Sequence, residues 1–391
     1  MKFSSLTNRV KGSAADVWDM HYLAKQAKGR GEDVIVLSVG DPDFATPDAV
    51  IDKALQAMRE GDTHYTSILG HEELRESIAQ QHRSSSGQEI EASNVITTSG
   101  AQNALFACSL CLLDPGDEAI VLQPMYVTYE ATVQAPGAIL VPVVLDAENG
   151  FRLDRDALQA AITERTRAIF YASPSNPTGI ALNQDELEYI AELARQYDLW
   201  VIADEVYANF VFDGEFHHIV SLPGMSERTV TIGSMSKSYA MSGWRVGWVI
   251  APLELIANLE KLALCMLYGL PGFIQQAAAH ALQNCASDLQ HMREIYRRRR
   301  DYLFDAFSAM PGLQPLLPDA GMFMMVNVLG SGMNSAEFVR ALYADTGVSV
   351  LDATAFGASA EGYVRVSCTV SDAELEEACR RIKSFMENIN G

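Results

Sequence analysis

The chain has 391 residues, 48% of them hydrophobic, enough to bury a large core in two domains or in one large domain with an appendage. Its 29 basic residues face 50 acidic ones, and a formal charge of −21 repels nucleic-acid phosphates and anionic membranes. The start "MKFSSLTNRV" carries no apolar signal core and no later run approaches a membrane span, so the expectation is a cytoplasmic globular protein with neither nucleic acid nor membrane as partner.

Six cysteines (Cys108, Cys111, Cys265, Cys285, Cys368, Cys379) sit mostly in apolar, helix-like surroundings and read as reduced core residues, with no metal site expected. From about residue 94, short apolar runs alternate with longer amphipathic ones: "NVITTSG", "AQNALFACSLCLL", "EAIVLQP", then "RAIFYASP", "DELEYIAELARQYD" and "LWVIADE". Strands alternating with helices predict an α/β fold on a largely parallel sheet covered on both faces. The helix over 184–197 carries its own start signal, Asn183 as N-cap with Glu186 three residues on. A long helical region ends near "REIYRRRRDYLFDAF", where the arginines 297–300 read as a solvated face opposite Ile295, Leu303 and Phe304. Pro/Gly-rich "MPGLQPLLPDAG" then leads into "GMFMMVNV", "YVRVSCTV" and a terminal amphipathic helix, a second and smaller α+β unit.

In open parallel sheets ligands bind beyond the carboxyl ends of the strands. Those positions are "TSGAQ" (98–102), "PMYVTY" (124–129), "SPSNPTG" (173–179), "DEVY" (204–207) and "SMSK" (234–237). Ser99-Gly100-Ala101 opening a helix, together with Ser234, Ser236 and Arg245, makes a phosphate-like set, because free N–H groups at a helix start favour an anion and arginine grips phosphate oxygens in pairs. Taken singly, Ser99 could merely cap a helix and Arg245 could pair with a surface acid. Lys237 sits in an apolar segment that follows a strand, where desolvation lowers its pKa and makes the amine nucleophilic. Asp204 follows the buried run "LWVIA" and needs a cationic or hydrogen-bonding partner.

In order, "SVGDPDFATP", "THYTSILGHEELRESIA", "SNPTG", "DEVY", "SMSKSYAMSGWRVGW" and "YVRVS" resemble the pyridoxal-phosphate-dependent class I/II aminotransferases of fold type I, over nearly the whole chain. The resemblance implies a large domain with a mostly parallel seven-stranded sheet flanked by helices, plus a smaller α+β domain. The boundaries expected are 1–45 for an N-terminal arm and part of the small domain, 46–290 for the large cofactor-binding domain and 291–391 for the rest of the small domain. It also implies a ping-pong transfer of an amino group from an L-amino acid to a 2-oxo acid. Lys237 would bond the cofactor and carry the Cα proton, and Asp204 would pair with the pyridine nitrogen, keeping the ring an electron sink. Asn176 and Tyr207 would hydrogen-bond its phenolic oxygen, and Tyr126 would stack on its face. The phosphate would be held by Gly100, Ala101, Ser234, Ser236 and Arg245, with Tyr65 reaching it from a second subunit, so that a homodimer shares its sites. Arg365 would take the substrate α-carboxylate, helped by Asn176 and the backbone of Gly40.

Within the family, "PMYVTYEA", "SLPGM", "LALCMLYG" and "GMFMMV" look most like bacterial arginine–pyruvate transaminases, with aspartate and aromatic aminotransferases more distant. The stretch "AADVWDMHY" would fold over the entrance, where Trp18 and Asp19 could read the substrate side chain, an acid suiting a cationic donor. A carbon–sulfur β-lyase using the same cofactor is the alternative inside the fold. Outside it, Ser234-Met-Ser-Lys237 also fits the S-x-x-K pattern of Ser-Lys acyl transferases, although the K-T-G segment is missing.

Overall fold

The computed structural model describes residues 1–12 and 18–390. A short strand β1 (Ile35–Val36) precedes a seven-stranded sheet of β2 (Val95–Thr98), β3 (Glu118–Gln123), β4 (Ile139–Val144), β5 (Thr166–Ala172), β6 (Trp200–Asp204), β7 (Thr229–Ser234) and β8 (Gly247–Ile250). The spatial order is β2-β8-β7-β6-β5-β3-β4. Strand β8 runs antiparallel to both neighbours, and the other pairings are parallel, as the alternating strand and helix pattern requires.

The continuous apolar runs have a physical reason, since each central strand is buried on both faces. Ile169 and Tyr171 of β5, with Val201 and Ala203 of β6, pack into a core on one side; Ala168, Phe170 and Ile202 pack on the other. The helix Ala101–Leu112 covers the second face through Ala104, Leu105 and Cys108, and the helix Gln184–Gln196 covers the first through Leu187, Ile190 and Leu193. Each fully buried Val, Leu, Ile or Phe among them contributes about 2 kcal/mol of transfer free energy. The expected capping box is present: Asn183 Oδ1 accepts from the Glu186 N–H at 3.0 Å, and Glu186 Oε2 from the Asn183 N–H at 2.8 Å.

Next come β9 (Gln314–Pro315), β10 (Phe323–Asn327), β11 (Val348–Ser349), β12 (Leu351–Asp352) and β13 (Tyr363–Ser367). Strands β12-β13-β10-β9 form an antiparallel sheet, while β11 pairs in parallel with β1. Ile35 and Leu37 thereby share a core with Met292, Phe338 and Phe385.

One sequence-based expectation fails on this side of the molecule. On the helix Ala286–Ser308, Arg297 and Arg298 are exposed, but Arg299 and Arg300 are each only 6% exposed. The helix period puts Met292, Tyr296, Arg299, Leu303 and Phe307 on one inward face, and buried arginines are tolerated there because each is paired. Among the described residues no helix is long and apolar enough to cross a membrane.

Candidate active site

The strands deliver the chemistry to one edge. Strands β2, β5, β6 and β7 end just before or at Gly100, Asn176, Asp204 and Lys237. Because β8 runs the opposite way, its first residue, Gly247, lies beside both Thr98 and Ser234, and so Arg245 arrives at that edge too. There a cavity of about 340 Å³ is lined by Trp18, Gly40, Ala101, Tyr126, Asn176, Asp204, Tyr207, Ser234, Ser236, Lys237, Arg245 and Arg365. A larger cleft of about 830 Å³ lies outside this convergence, lined by Asp19, Gln123, Met125, Arg340 and Asp352. The structure thus puts Trp18 in the cavity but Asp19, which is exposed, in the cleft. The neighbouring part of the predicted entrance segment, residues 14–17, falls outside the described residues.

Lys237 stands in the one-turn helix Met235–Ser238 that follows β7. Its Nζ donates to the Gly40 carbonyl at 2.7 Å. Burial lowers its pKa to about 8, opposed by Asp41 and reinforced by Arg365 and Arg245, so a substantial fraction of the amine is unprotonated and nucleophilic in mildly alkaline solution. Asp204 shows the opposite displacement. Burial raises its carboxyl to about 6, although the Tyr129 hydroxyl donates to Oδ2 at 2.6 Å and the Val206 N–H to Oδ1 at 3.2 Å. A carboxylate with two donors and still so high lacks a cation. Tyr207, buried beside Asn176, has its hydroxyl pKa pushed up by burial.

Arg365 is 1% exposed. Nη1 donates to Asn176 Oδ1 at 2.7 Å and Nη2 to the Ser38 carbonyl at 3.0 Å, while the guanidinium lies 4.3 Å from the Phe323 ring centre and 5.0 Å from that of Phe356. Its Nε is buried without a partner, and burial lowers the pKa to about 10. Among the described residues this buried cation is held only by neutral acceptors, and with Nε spare it suits an external carboxylate.

Gly100 begins the helix Ala101–Leu112 at φ 81, and a Cβ there would stand 2.3 Å from Arg245 Nη2. Ser99 therefore does not cap that helix, and its first N–H groups have no intrahelical acceptor. Arg245 is itself left-handed at φ 58, a strained conformation for a residue with a side chain, and its guanidinium is steadied by the carbonyls of Ser242 (2.7 Å) and Ser99 (3.4 Å). Ser234 Oγ accepts from the Ser236 N–H and lies 2.9 Å from Ser236 Oγ. Free N–H groups, two hydroxyls and a guanidinium that makes no ion pair with an acid among the described residues form, around a glycine surface, a cradle for a dianion. Ser234 Oγ donates to the Val246 carbonyl and Lys237 Nζ to the Gly40 carbonyl, so the two are not joined in the nucleophile–base hydrogen bond that a Ser-Lys acyl transferase needs.

The profile of the aminotransferase class I and II family matches residues 32–382. The chain belongs to this family. It is 50% identical to the arginine–pyruvate transaminase of Pseudomonas aeruginosa over 98% of this chain and 97% of that one, and 37% identical to a putative aminotransferase of Bacillus subtilis over 91% and 92%. Among solved structures, aspartate aminotransferase from Thermus thermophilus with maleate superposes with a TM-score of 0.93 at 32% identity over 98% of this chain and 99% of that one. The Thermotoga maritima enzyme gives 0.92 at 30% over 98% and 100%. The protein is a pyridoxal-phosphate-dependent aminotransferase of fold type I, and its cavity fits that group: a cradle for a phosphate, a carboxylate lacking its cation and a lysine with a depressed pKa.

Like Asp19, Tyr65 is a predicted residue that lies outside the chain's own cavity. It is 86% exposed, with its ring against Tyr268 at 4.9 Å. Tyr129, Phe323 and Ser38 also contribute to the site, without a local sequence signal for that role. Tyr129 lies in a strand-end stretch already singled out, but nothing local links it to Asp204, 75 residues away.

Proposed function

We propose that this aminotransferase moves the amino group of an L-amino acid to pyruvate or 2-oxoglutarate, with arginine and pyruvate the first pair to test. The observation that carries the reading is the trio of Lys237, Asp204 and Arg365, three charged groups around one cavity whose hydrogen bonds go to neutral partners. The relative from Pseudomonas aeruginosa supports the choice of pair. When bound, pyridoxal phosphate supplies a carbonyl carbon for the amino group and a ring that draws electrons from Cα.

Gly100, Ala101, Ser234, Ser236 and Arg245 would hold its phosphate. Asp204 would hold its ring nitrogen, Asn176 and Tyr207 its phenolic oxygen, and Tyr126 its face. Arg365, with Asn176 and the Gly40 backbone, fixes the substrate carboxylate, which leaves Lys237 Nζ placed to take the proton from the substrate Cα. A homodimer in which Tyr65 completes the partner's phosphate site belongs to this proposal, and its support is an exposed tyrosine whose ring lies against that of the exposed Tyr268. The division at about residues 45 and 290 belongs to it too, supported by the core that Ile35 shares with Met292.

The test is a half-reaction screen. Each amino acid is added to purified, cofactor-loaded enzyme, and the change in cofactor absorption is followed, with Lys237→Ala as the variant that loses the lysine-bound band. Good aspartate turnover without arginine turnover refutes the arginine version. Pyruvate and ammonia released from one amino acid alone would favour the β-lyase. Purified enzyme unable to bind pyridoxal phosphate ends the reading.

A further inference from the structure

The loop over residues 38–44 faces the cavity with its backbone: the Ser38 carbonyl accepts from Arg365 Nη2 and the Gly40 carbonyl from Lys237 Nζ at 2.7 Å. The loop runs beside the end of β13, where the Ser367 N–H donates to the Leu37 carbonyl at 2.8 Å and Thr369 Oγ1 to the Val39 carbonyl at 3.1 Å. Its far end is held chiefly by Arg299. Arg299 Nη1 donates to both oxygens of Asp43, at 2.9 and 3.0 Å, and Tyr296 adds its hydroxyl at 3.2 Å. The same Nη1 reaches the Cys368 carbonyl at 3.2 Å, three residues beyond Arg365, and Nε donates to Asp372 at the start of the terminal helix at 2.8 Å. The guanidinium also faces the rings of Phe44 and Tyr296, each at 5.7 Å.

We propose that Arg299 is a positioning residue for substrate binding: it pins the loop to the strand that carries Arg365, and so fixes the Arg365 guanidinium relative to the Lys237 amine. The inference rests on the aminotransferase reading and deepens it. A substrate must place its α-carboxylate on Arg365 and its Cα beside Lys237 at once, so any drift of the loop that both residues lean on weakens binding before it touches the cofactor. An arginine suits the task because its planar fork bonds several acceptors in fixed directions, which an ammonium group cannot do.

Arg299→Gln and Asp43→Asn, both loaded with pyridoxal phosphate, test this. The expected result is an unchanged cofactor spectrum, a rise of about ten-fold in KM for donor and acceptor alike, and a kcat within about three-fold of wild type. The dissociation constant of 2-methylalanine, which has the amine and the carboxylate but no Cα proton, should rise by the same factor as KM. Arg298→Gln, whose arginine touches Asp372 from the surface but not Asp43, should match wild type. If Arg299→Gln does not fold, Asp43→Asn decides alone, because there Arg299 keeps Asp372 and Cys368 as partners. Unchanged KM and 2-methylalanine binding in Asp43→Asn overturn the proposal, as does lost cofactor retention with binding intact. A wild-type enzyme that responds to no amino acid overturns the aminotransferase reading itself, and this inference with it.

Discussion

Replacing Asp204 by Asn separates the stability of the unliganded protein from its function. Burial carries the carboxyl from 3.8 to about 6. At about 1.4 kcal/mol per pH unit, ionising it costs the unliganded fold about 3 kcal/mol once the pH is well above 6. The sign follows from the raised value. The folded state prefers the protonated acid, so this contribution to stability is complete below pH 3.8 and is lost as the pH rises through 6. Asn cannot ionise and still accepts from the Tyr129 hydroxyl, but its amide nitrogen would face the Val206 N–H at a lost bond's cost of about 1 kcal/mol. The net expectation at pH 8 is an unliganded variant about 2 kcal/mol more stable than wild type, a gain of a few degrees in melting temperature, roughly 2–4 °C. At pH 4 the gain disappears. Thermal unfolding of cofactor-stripped proteins at both pH values reads it, while the proposed pairing of Asp204 with the ring nitrogen predicts that transamination by the loaded variant collapses. Equal melting temperatures at pH 8, or a gain of the same size at pH 4, would refute the account of Asp204 as a buried acid lacking its cation.

Other consequences are simpler to state. Arg365→Lys keeps a charge but not the fork, and kcat/KM for every donor should fall by roughly 10²-fold with the cofactor spectrum unaltered; a loss confined to kcat would contradict a carboxylate role. Uptake of pyridoxal phosphate by stripped enzyme should accelerate through pH 8, where Lys237 Nζ loses its proton, and level off above about pH 9; a rate independent of pH would refute this. Tyr65→Ala and Lys237→Ala proteins, each nearly inactive, should regain activity when mixed and allowed to exchange subunits, because one hybrid site has both residues; no recovery would place Tyr65 outside a shared site.

The fold was legible because central parallel strands are buried on both faces and therefore announce themselves as unbroken apolar runs, as in "RAIFYA" and "LWVIAD". The cavity residues were legible because a strand end is also a motif: "DEVY" and "SMSK" each carry a strand's last residues together with the group it presents. What escaped depends on helical phase or on distance. The run of four arginines suggested a solvated face by composition, whereas counting from Tyr296 in steps of three and four reaches Arg299, Leu303 and Phe307, the buried side. Tyr129 came near Asp204 only through the pairing of β3 with β5 and of β5 with β6, which no local pattern encodes.

The two displaced groups pull the unliganded protein in opposite directions. Asp204 favours acid solution. Lys237, whose pKa is lowered by burial from 10.5 to about 8, favours alkaline solution: its contribution is complete above pH 10.5 and is lost as the pH falls through 8. Between about pH 6 and 8 both are charged and buried, among the described residues their hydrogen bonds go to neutral groups, and each costs about 3 kcal/mol. A ligand that gives Asp204 a cation and takes up the Lys237 amine removes both costs together. The rise in melting temperature on adding pyridoxal phosphate should therefore be largest near pH 7 and shrink on either side, and a rise that grows steadily with pH would mean that Lys237 alone drives the stabilisation.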